Sequence, residues 1–115
     1  MELQYHDLEN NIRLIKLIGR LDILGVGEIE TKFAGYCSGE CPRVLVDLSG
    51  VEYLASIGIR LLMINAKSIA SRKGRMVLVK PSPEVKNILE VTGIPLIIPV
   101  HEELESAEVV LRMPQ

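Results

Sequence analysis

The stretch Asp47-Leu48-Ser49-Gly50-Val51-Glu52-Tyr53-Leu54-Ala55-Ser56-Ile57-Gly58-Ile59-Arg60 decides the fold, because it joins the two most clearly patterned segments of the chain. Residues 44–48 are a short and almost continuous apolar run, which is typical of a strand buried on both faces. Residues 56–72 have helical spacing and stop at Lys73-Gly74 with basic residues nearby. The pattern predicts a strand, a connection over residues 49–55 and a helix that begins at Ser56.

Strand and helix patterns alternate on both sides of this unit. Residues 2–7 and 11–18 predict a hairpin that turns at Asn10-Asn11, because Asn tolerates positive φ. The other predicted elements are a helix over 24–37, a strand over 76–79, a helix that begins at Pro83 and is capped by Gly93, an edge strand over 94–100 and a helix over 102–111. The predicted fold class is α/β, a single domain over residues 1–115 with a mixed β-sheet of about five strands and about four helices in the order β-β-α-β-α-β-α-β-α.

Composition and charge exclude several classes of protein. The chain has 115 residues, of which 48% are hydrophobic, so it has room for one domain and material for one core. The formal net charge is −2 and no basic cluster is present, which argues against nucleic acid as a partner. No segment approaches the ~20 apolar residues that cross a bilayer. Residues 1–7 do not resemble a secretory signal, so we expect no membrane insertion and a cytoplasmic location.

Residues that could carry catalysis or hold a metal are sparse. Cys37 and Cys41 have no second Cys or His pair at metal-ligand spacing, and His6 and His101 lie far apart in the sequence. Gly25-Val26-Gly27 lacks the third glycine of a dinucleotide loop, and no Gly-Lys-Ser/Thr follows it. We therefore predict no catalytic residue, no metal and no cofactor, and we expect that the protein is not an enzyme.

Ser56 stands where the predicted connection enters the predicted helix, and two interpretations of it stay open. Its hydroxyl could be an N-cap that accepts a hydrogen bond from a backbone N–H of the first helical turn. It is also placed to be a phosphoacceptor. A phosphate there would gain from the positive end of the helix and would add about −2 charge to a nearly neutral chain.

The predicted helix after Ser56 has two apolar faces. At ~100° per residue, the predicted core side collects Ile59, Leu62, Met63, Ala66, Ile69 and Ala70. A second stripe falls nearly opposite, beside Arg60, Lys67 and Ser68, and contains Ile57, Leu61 and Ile64. Such a stripe is covered either by the helix that begins at Pro83 or by a partner protein.

The same residues resemble the hallmark of the STAS domain family, in particular of bacterial anti-sigma factor antagonists. In that family a strand ends in Asp-Leu-Ser, and a short loop leads to Asp-Ser-Ser-Gly-Leu at the start of a helix. Asp47-Leu48-Ser49 matches the first motif, and Leu54-Ala55-Ser56-Ile57-Gly58-Ile59 matches the second imperfectly. Further matches run along nearly the whole chain at Gly19-Arg20-Leu21-Asp22, Lys73-Gly74-Arg75-Met76-Val77-Leu78, Pro83-Glu84-Val85-Lys86 and Thr92-Gly93-Ile94.

The resemblance implies a STAS-like fold and a protein switch that regulates transcription. Such antagonists bind an anti-sigma factor that is also a serine kinase, and this binding frees the sigma factor. Phosphorylation of the serine after Asp ends the binding, and a phosphatase restores it. Ser56 matches that serine, and dimerisation stays open. Together with the apolar stripe, the resemblance predicts a partner-binding surface made of Asp22, Ala55, Ser56, Ile57, Gly58, Arg60, Leu61 and Ile64.

Two positions depart from the family motif. Ala55 stands in place of the Asp, which removes a charged group, and Ile57 stands in place of the second serine and enlarges the apolar stripe. The alternative function is a constitutive STAS scaffold or accessory subunit that binds its partner without phosphorylation, in a lipid-transport ATPase or a stressosome-like assembly. A nucleotide-binding STAS domain is a weaker alternative, because the sequence has no phosphate-cradling loop.

Overall fold

Five strands form one sheet with the order β1-β2-β3-β4-β5 in the computed structural model, which describes residues 1–113. The strands are β1 Glu2–Asp7, β2 Ile12–Leu21, β3 Arg43–Leu54, β4 Arg75–Val79 and β5 Val100–His101. The helices are α1 Ile23–Tyr36, α2 Ser56–Ser71, α3 Pro83–Val91 and α4 Leu104–Arg112, with a short 3-10 helix at Ile94–Leu96. The predicted α/β class and the predicted order of the main elements are confirmed.

The sheet is mixed because only the first connection is a hairpin. β1 and β2 are antiparallel and turn through Asn10 and Asn11, whose φ angles of 63° and 58° are the left-handed values that Asn tolerates. The pairs β2·β3, β3·β4 and β4·β5 are parallel, and each connection between them crosses over through a helix. The carboxyl ends of the parallel strands therefore share one edge of the sheet.

The sheet carries helices on both faces. α1, α2 and α3 contribute to the larger buried cluster, which includes Val46 and Leu48 of β3. α4 packs on the opposite face, in a cluster with Leu45 and Val77. Successive side chains of a strand point to opposite faces, so the apolar run at 44–48 fills both cores.

β3 is longer than predicted, because residues 49–54 continue the strand instead of forming a connection. They pair in parallel with the end of β2, where two shifts in register interrupt the ladder. A Cβ at Gly50 would lie 2.9 Å from the carbonyl oxygen of Leu17, so this close pairing depends on glycine. The sequence pattern missed the extension because these residues mix polar and apolar types, and their hydrogen-bond partners are distant in the chain.

The strand predicted over residues 94–100 is wrong over most of its length. Residues 94–96 form a 3-10 helix, and only Val100–His101 joins the sheet, at the predicted edge. Pro95 suits the first turn of a helix because its missing N–H is not needed there, whereas it cannot donate to a ladder. Ile94 and Ile98 of this apolar segment are buried in the core, whereas Leu96 and Ile97 are exposed.

Helix α2 begins against the ends of β2 and β3, and this contact depends on Gly58. A Cβ at Gly58 would lie 2.8 Å from the carbonyl oxygen of Leu21 and 2.9 Å from Cδ1 of Leu54. Both distances are shorter than ordinary van der Waals contact. A larger residue at this position must therefore move α2 away from the sheet.

We expect Gly58→Ala to lower the free energy of unfolding by about 1–3 kcal/mol, the usual effect of overpacking a close contact. Gly27→Ala is the matched control, since Gly27 also lies in a helix but, among residues 1–113, nothing beyond its chain neighbours and the adjoining backbone of α1 lies within 4 Å of the added Cβ. The control should raise the free energy of unfolding by about 0.5–1 kcal/mol through helix propensity. Urea unfolding measures both, and effects of the same sign would contradict the close contact.

The two cysteines have different environments. Cys37 is buried at the end of α1, and this burial raises the pKa of its thiol to about 12. Cys41 is exposed. Because the folded pKa of Cys37 lies above its value in the unfolded chain, the protonated thiol favours the fold at neutral pH. That contribution is lost as the pH rises through about 12.

At pH 8 we expect iodoacetamide to alkylate Cys41 and to leave Cys37 unmodified, because the thiolate is the nucleophile. The intact mass should show one adduct for the folded protein and two in urea. The folded Cys41→Ser variant should show none, and an adduct on it would contradict the environment of Cys37.

Candidate functional site

Ser56 lies on the surface where β3 ends and α2 begins. It is the first residue of α2, and its side chain is exposed. Ala55 occupies the N-cap position, and no side chain caps the helix, so the interpretation of Ser56 as the N-cap is wrong. The Ser56 hydroxyl has no hydrogen-bond partner among residues 1–113, which leaves it accessible to another protein.

The backbone at Ala55 ties this turn to the sheet. The N–H of Ala55 donates to the carbonyl oxygen of Leu21 at 3.1 Å. Its own carbonyl oxygen accepts from the N–H groups of Gly58 and Ile59, at 2.9 and 3.1 Å. Ala55 is thus the last extended residue, which is why the helix begins at Ser56 and not one residue later.

Asp22 reaches the same edge of the sheet from β2, since Leu21 and Leu54 are paired neighbours. One carboxylate oxygen accepts from the N–H of Gly25 at 2.9 Å and caps α1. The other accepts from Nε of Arg20 at 3.2 Å. The Gly25 hydrogen bond, and to a lesser extent Arg20, lower the pKa of Asp22. Asp22 is therefore ionised at neutral pH, and it holds α1 in place as well as facing the site.

Arg20 and Tyr53 form a cation–π pair next to Asp22. They are register partners on β2 and β3, and the guanidinium carbon of Arg20 lies 4.5 Å from the centroid of the Tyr53 ring. Both side chains are exposed. The sequence analysis did not select them, because only the pairing of two distant strands brings them together.

Two apolar residues at the start of α1 extend the candidate site. Ile23 and Leu24 follow the Asp22 cap and are 74% and 79% exposed. They were not selected from the sequence either. A usable signal was present, because a helix start that turns one face to the core has no buried place for two consecutive large residues before Val26.

The second apolar stripe of α2 is divided by the fold. Leu61 is buried and belongs to the core, so its prediction as a surface residue is wrong. Ile57 is half-buried, and Ile64 is 54% exposed. The helix that packs beside this stripe is α1, so the alternative that α3 covers the stripe does not hold.

The predicted core side of α2 is also only partly right. Leu62 and Ile69 are fully buried, whereas Ala70 is exposed. Of the predicted partner-binding residues, Gly58 and Leu61 are buried, and the members that reach the surface are Asp22, Ala55, Ser56, Ile57, Arg60 and Ile64.

A groove of about 550 Å³ lies between α1 and α2, and its lining includes Ile57, the residue that follows Ser56. Its walls are mainly apolar, and they include the two residues of the α2 stripe that remain accessible, Ile57 and Ile64. Asn65 also lines it, although it is only 6% exposed, and sequence reasoning missed this residue. The available signal was a polar residue four positions after Leu61, in the middle of an apolar face.

Metal-ligating side chains are not clustered by the fold of residues 1–113. In this part of the chain no group of three or more His, Cys, Asp or Glu side chains could hold a metal ion. His101 Nδ1 lies 3.2 Å from Ser106 Oγ, at the edge of the sheet formed by β5. Over the same residues, no helix has the length and apolar character that a bilayer crossing requires.

Comparison with known proteins places these features in a family. The family model described as STAS domain matches residues 7–107. The candidate anti-sigma factor antagonist BtrV of Bordetella bronchiseptica is 29% identical over 91 residues, which are 79% of this chain and 78% of that protein. The anti-sigma F factor antagonist of Lysinibacillus sphaericus is 26% identical over 95 residues, 82% of this chain and 81% of that protein.

Solved structures have the same fold. An anti-sigma-factor antagonist (STAS) domain protein from Planctomyces limnophilus superposes with a TM-score of 0.85 at 24% identity, over 96% of this chain and 98% of that one. The Bacillus cell fate determinant SpoIIAA in its phosphorylated form gives a TM-score of 0.69 at 20% identity, over 95% and 99% of the two chains. With the family model spanning most of the sheet and its helices, this chain belongs to the STAS domain family.

Proposed function

We propose that this protein is an anti-sigma factor antagonist, a cytoplasmic STAS domain over residues 1–115 that binds an anti-sigma factor and so regulates transcription. The observation that carries the proposal is the accessible hydroxyl of Ser56 at the first residue of α2. Relatives named as anti-sigma factor antagonists support it. The proposed function is binding, which requires no catalytic group or cofactor from this chain.

The surface around Ser56 has the composition of a protein interface. Ile23, Leu24 and Ile64 are exposed apolar side chains that a partner can cover. Burial of such surface contributes roughly 25 cal/mol per Å². Arg20 and Arg60 add cationic groups, and Arg is a frequent contributor to interface energy. An apolar patch bordered by these charges favours a protein partner over a small charged ligand.

Phosphorylation of Ser56 would oppose this binding for an electrostatic reason. The phosphate adds about −1.5 to −2 charge at pH 7, while the whole chain has a formal net charge of only −2. The amino end of α2 favours the phosphate within the free protein. A partner that covers it must remove its water, and desolvation of a charge without a matched partner group is unfavourable. The modified protein should therefore bind its partner less tightly.

The chain needs to provide only the hydroxyl for this modification. In the proposed reaction, the anti-sigma factor acts as a serine kinase and brings ATP and Mg²⁺. The Ser56 oxygen attacks the γ-phosphorus, the bond to the β-phosphate oxygen breaks, and ADP leaves as the hydroxyl proton passes to the kinase. A phosphatase later hydrolyses the phosphoserine with water.

Each purified anti-sigma factor kinase of the source organism is incubated with this chain, ATP and Mg²⁺. We expect the cognate kinase to add a single phosphate at Ser56. Intact mass and peptide mapping measure the product, and Ser56→Ala should remain unmodified. The Ser56→Asp variant should weaken partner binding at least tenfold by calorimetry, because the new charge must be desolvated.

Ser68→Asp is the matched control, since Ser68 is exposed near the other end of the same helix. It should bind as wild type does. A phosphate that persists in Ser56→Ala, or equal affinities of Ser56→Asp and wild type, would contradict the switch.

A constitutive binding module is the second candidate, and Ala55 is the observation that favours it. The residue before Ser56 has no side-chain group that could cap α2 or present a charge to a kinase. Such a module would be a scaffold or the small subunit of a larger assembly. It would use the same apolar surface, and its affinity would not depend on phosphorylation.

We expect Ala55→Asp to raise the free energy of unfolding by about 0.5–2 kcal/mol, because Asp is a strong N-cap and α2 has no side-chain cap. The same substitution in the last turn of α2, Ala70→Asp, should lower it, since a negative charge is unfavourable at that end of a helix. Urea unfolding of both variants provides the comparison. A loss of stability in Ala55→Asp would argue against Ala55 as the N-cap.

A further inference from the structure

The groove between α1 and α2 has straight walls with helical spacing. On α1 it is lined at positions 26, 30, 31 and 34, and on α2 at positions 57, 60, 61, 64 and 65; these include one row on each helix with a spacing of four residues, 26-30-34 and 57-61-65. Each row thus extends over nine residues, and its ends are about 12 Å apart at a rise of 1.5 Å per residue. A groove formed by rows spaced four residues apart matches the ridge of a third helix of about two to three turns.

The helical walls exclude a peptide that binds by adding a strand. Peptides that bind as strands need unpaired backbone groups at a sheet edge. Both walls here are helices, whose backbone groups are already paired within each helix. An occupant can therefore be recognised only through side chains, as a helix in a groove is.

Asn65 provides one polar contact inside the groove. Its Nδ2 donates to the carbonyl oxygen of Leu61 at 2.9 Å, and because that partner is an acceptor, the bonded atom must be the amide nitrogen. The amide oxygen then has no hydrogen-bond partner within the described residues, although the side chain is only 6% exposed. It is not sealed from solvent either, since residues 1–113 contain no fully buried polar side-chain atom that lacks a partner. The groove thus presents the Asn65 amide oxygen as a hydrogen-bond acceptor beside the apolar side chains of its walls.

The two lips of the groove have opposite charges. Glu30 lies on the α1 side and Arg60 on the α2 side, and both side chains are exposed. Neither takes part in an ion pair within the described part of the chain, where the pairs join other residues. Both charges remain available to an occupant.

We propose that the groove between α1 and α2 binds an amphipathic helix of the anti-sigma factor. This inference rests on the proposed function and names the partner element. The helix has an apolar face with one hydrogen-bond donor that reaches Asn65 Oδ1. It carries a basic residue on the side of Glu30 and an acidic residue on the side of Arg60. The groove begins at Ile57, so a phosphate on Ser56 lies at its entrance and regulates the same contact.

A second cavity, of about 430 Å³, lies at the opposite end of the sheet and does not offer comparable recognition. Its charged wall contains Arg13, whose Nε and Nη2 donate to the two carboxylate oxygens of Asp7 at 2.6 and 3.1 Å. Tyr36, also in the wall, is stacked on Tyr5 with ring centroids 4.3 Å apart. These groups already bind one another.

The test fills the groove without changing its charge. Ala34 is an exposed residue of the α1 wall, and Ala34→Phe places a ring in the groove. Ala70→Phe is the matched control, because Ala70 is exposed on α2 and outside the groove. Calorimetry with the full-length anti-sigma factor that binds the wild type measures both. We expect at least tenfold weaker binding for Ala34→Phe and a change of less than twofold for Ala70→Phe.

Further variants keep the test decisive. If Ala34→Phe does not fold, as judged by circular dichroism, Thr31→Phe fills the same groove from another wall position. Asn65→Leu should weaken binding about tenfold by leaving the helix donor unpaired. Wild-type affinity in both a folded groove-filling variant and Asn65→Leu would overturn the groove proposal.

The outcomes separate this proposal from the proposed function. If Ser56→Asp weakens binding and the filled groove does not, the antagonist function stands and the groove proposal fails. If no anti-sigma factor binds the wild type, the proposed function fails, and the groove is tested with a phage-displayed library of helical peptides on this chain alone. Selected helices that bind wild type and Ala70→Phe but not Ala34→Phe would support the groove, and helices that bind all three would overturn it.

Discussion

The junction between α2 and the ends of β2 and β3 is the constraint on which the rest of the site depends. Gly58 permits it, because a Cβ there would come within 2.8 Å of the carbonyl oxygen of Leu21. The hydrogen bond from Ala55 N–H to the same oxygen holds the start of α2 against the end of β2. With α2 held in this way, its first residue is Ser56, whose hydroxyl faces solvent, and its side forms one wall of the groove with α1. A shift of the helix start would change both features together.

The side chains at this edge of the sheet are compatible with the proposed binding function. One carboxylate oxygen of Asp22 accepts the hydrogen bond that caps α1, and the other accepts from Arg20. Asp22 therefore stabilises the local structure as well as bordering the site. The apolar groups nearby are exposed and have no catalytic chemistry. Under the proposed phosphorylation of Ser56, the charge at this edge would change, and one phosphate on a chain of formal net charge −2 is a large change.

Several features could be predicted because they depend on local chemistry. The turn at Asn10 and Asn11 follows from the tolerance of Asn for positive φ. The end of α3 at Val91 follows from Gly93, two residues later, whose φ of 77° is a left-handed value that glycine readily adopts. The missed features depend on distant partners. The extension of β3 to Leu54 needs β2 alongside it, and the burial of Leu61 needs α1. The wrong strand at 94–100 came from apolar character alone, which does not distinguish a strand from a buried turn that contains prolines.

The sequence by itself determined the class of fold, the order of its main elements, and the motif that marks Ser56, since these depend on residue types and on spacing along the chain. Only the tertiary structure decided that Ala55 is the helix cap, that α1 is the neighbour of α2, and that Asn65 faces a groove with Glu30 and Arg60 on its lips. The physical reason is that parallel crossovers bring together helices that are separated in sequence by a whole strand. Which side chains such helices bury, and which they leave for a partner, is set by that packing.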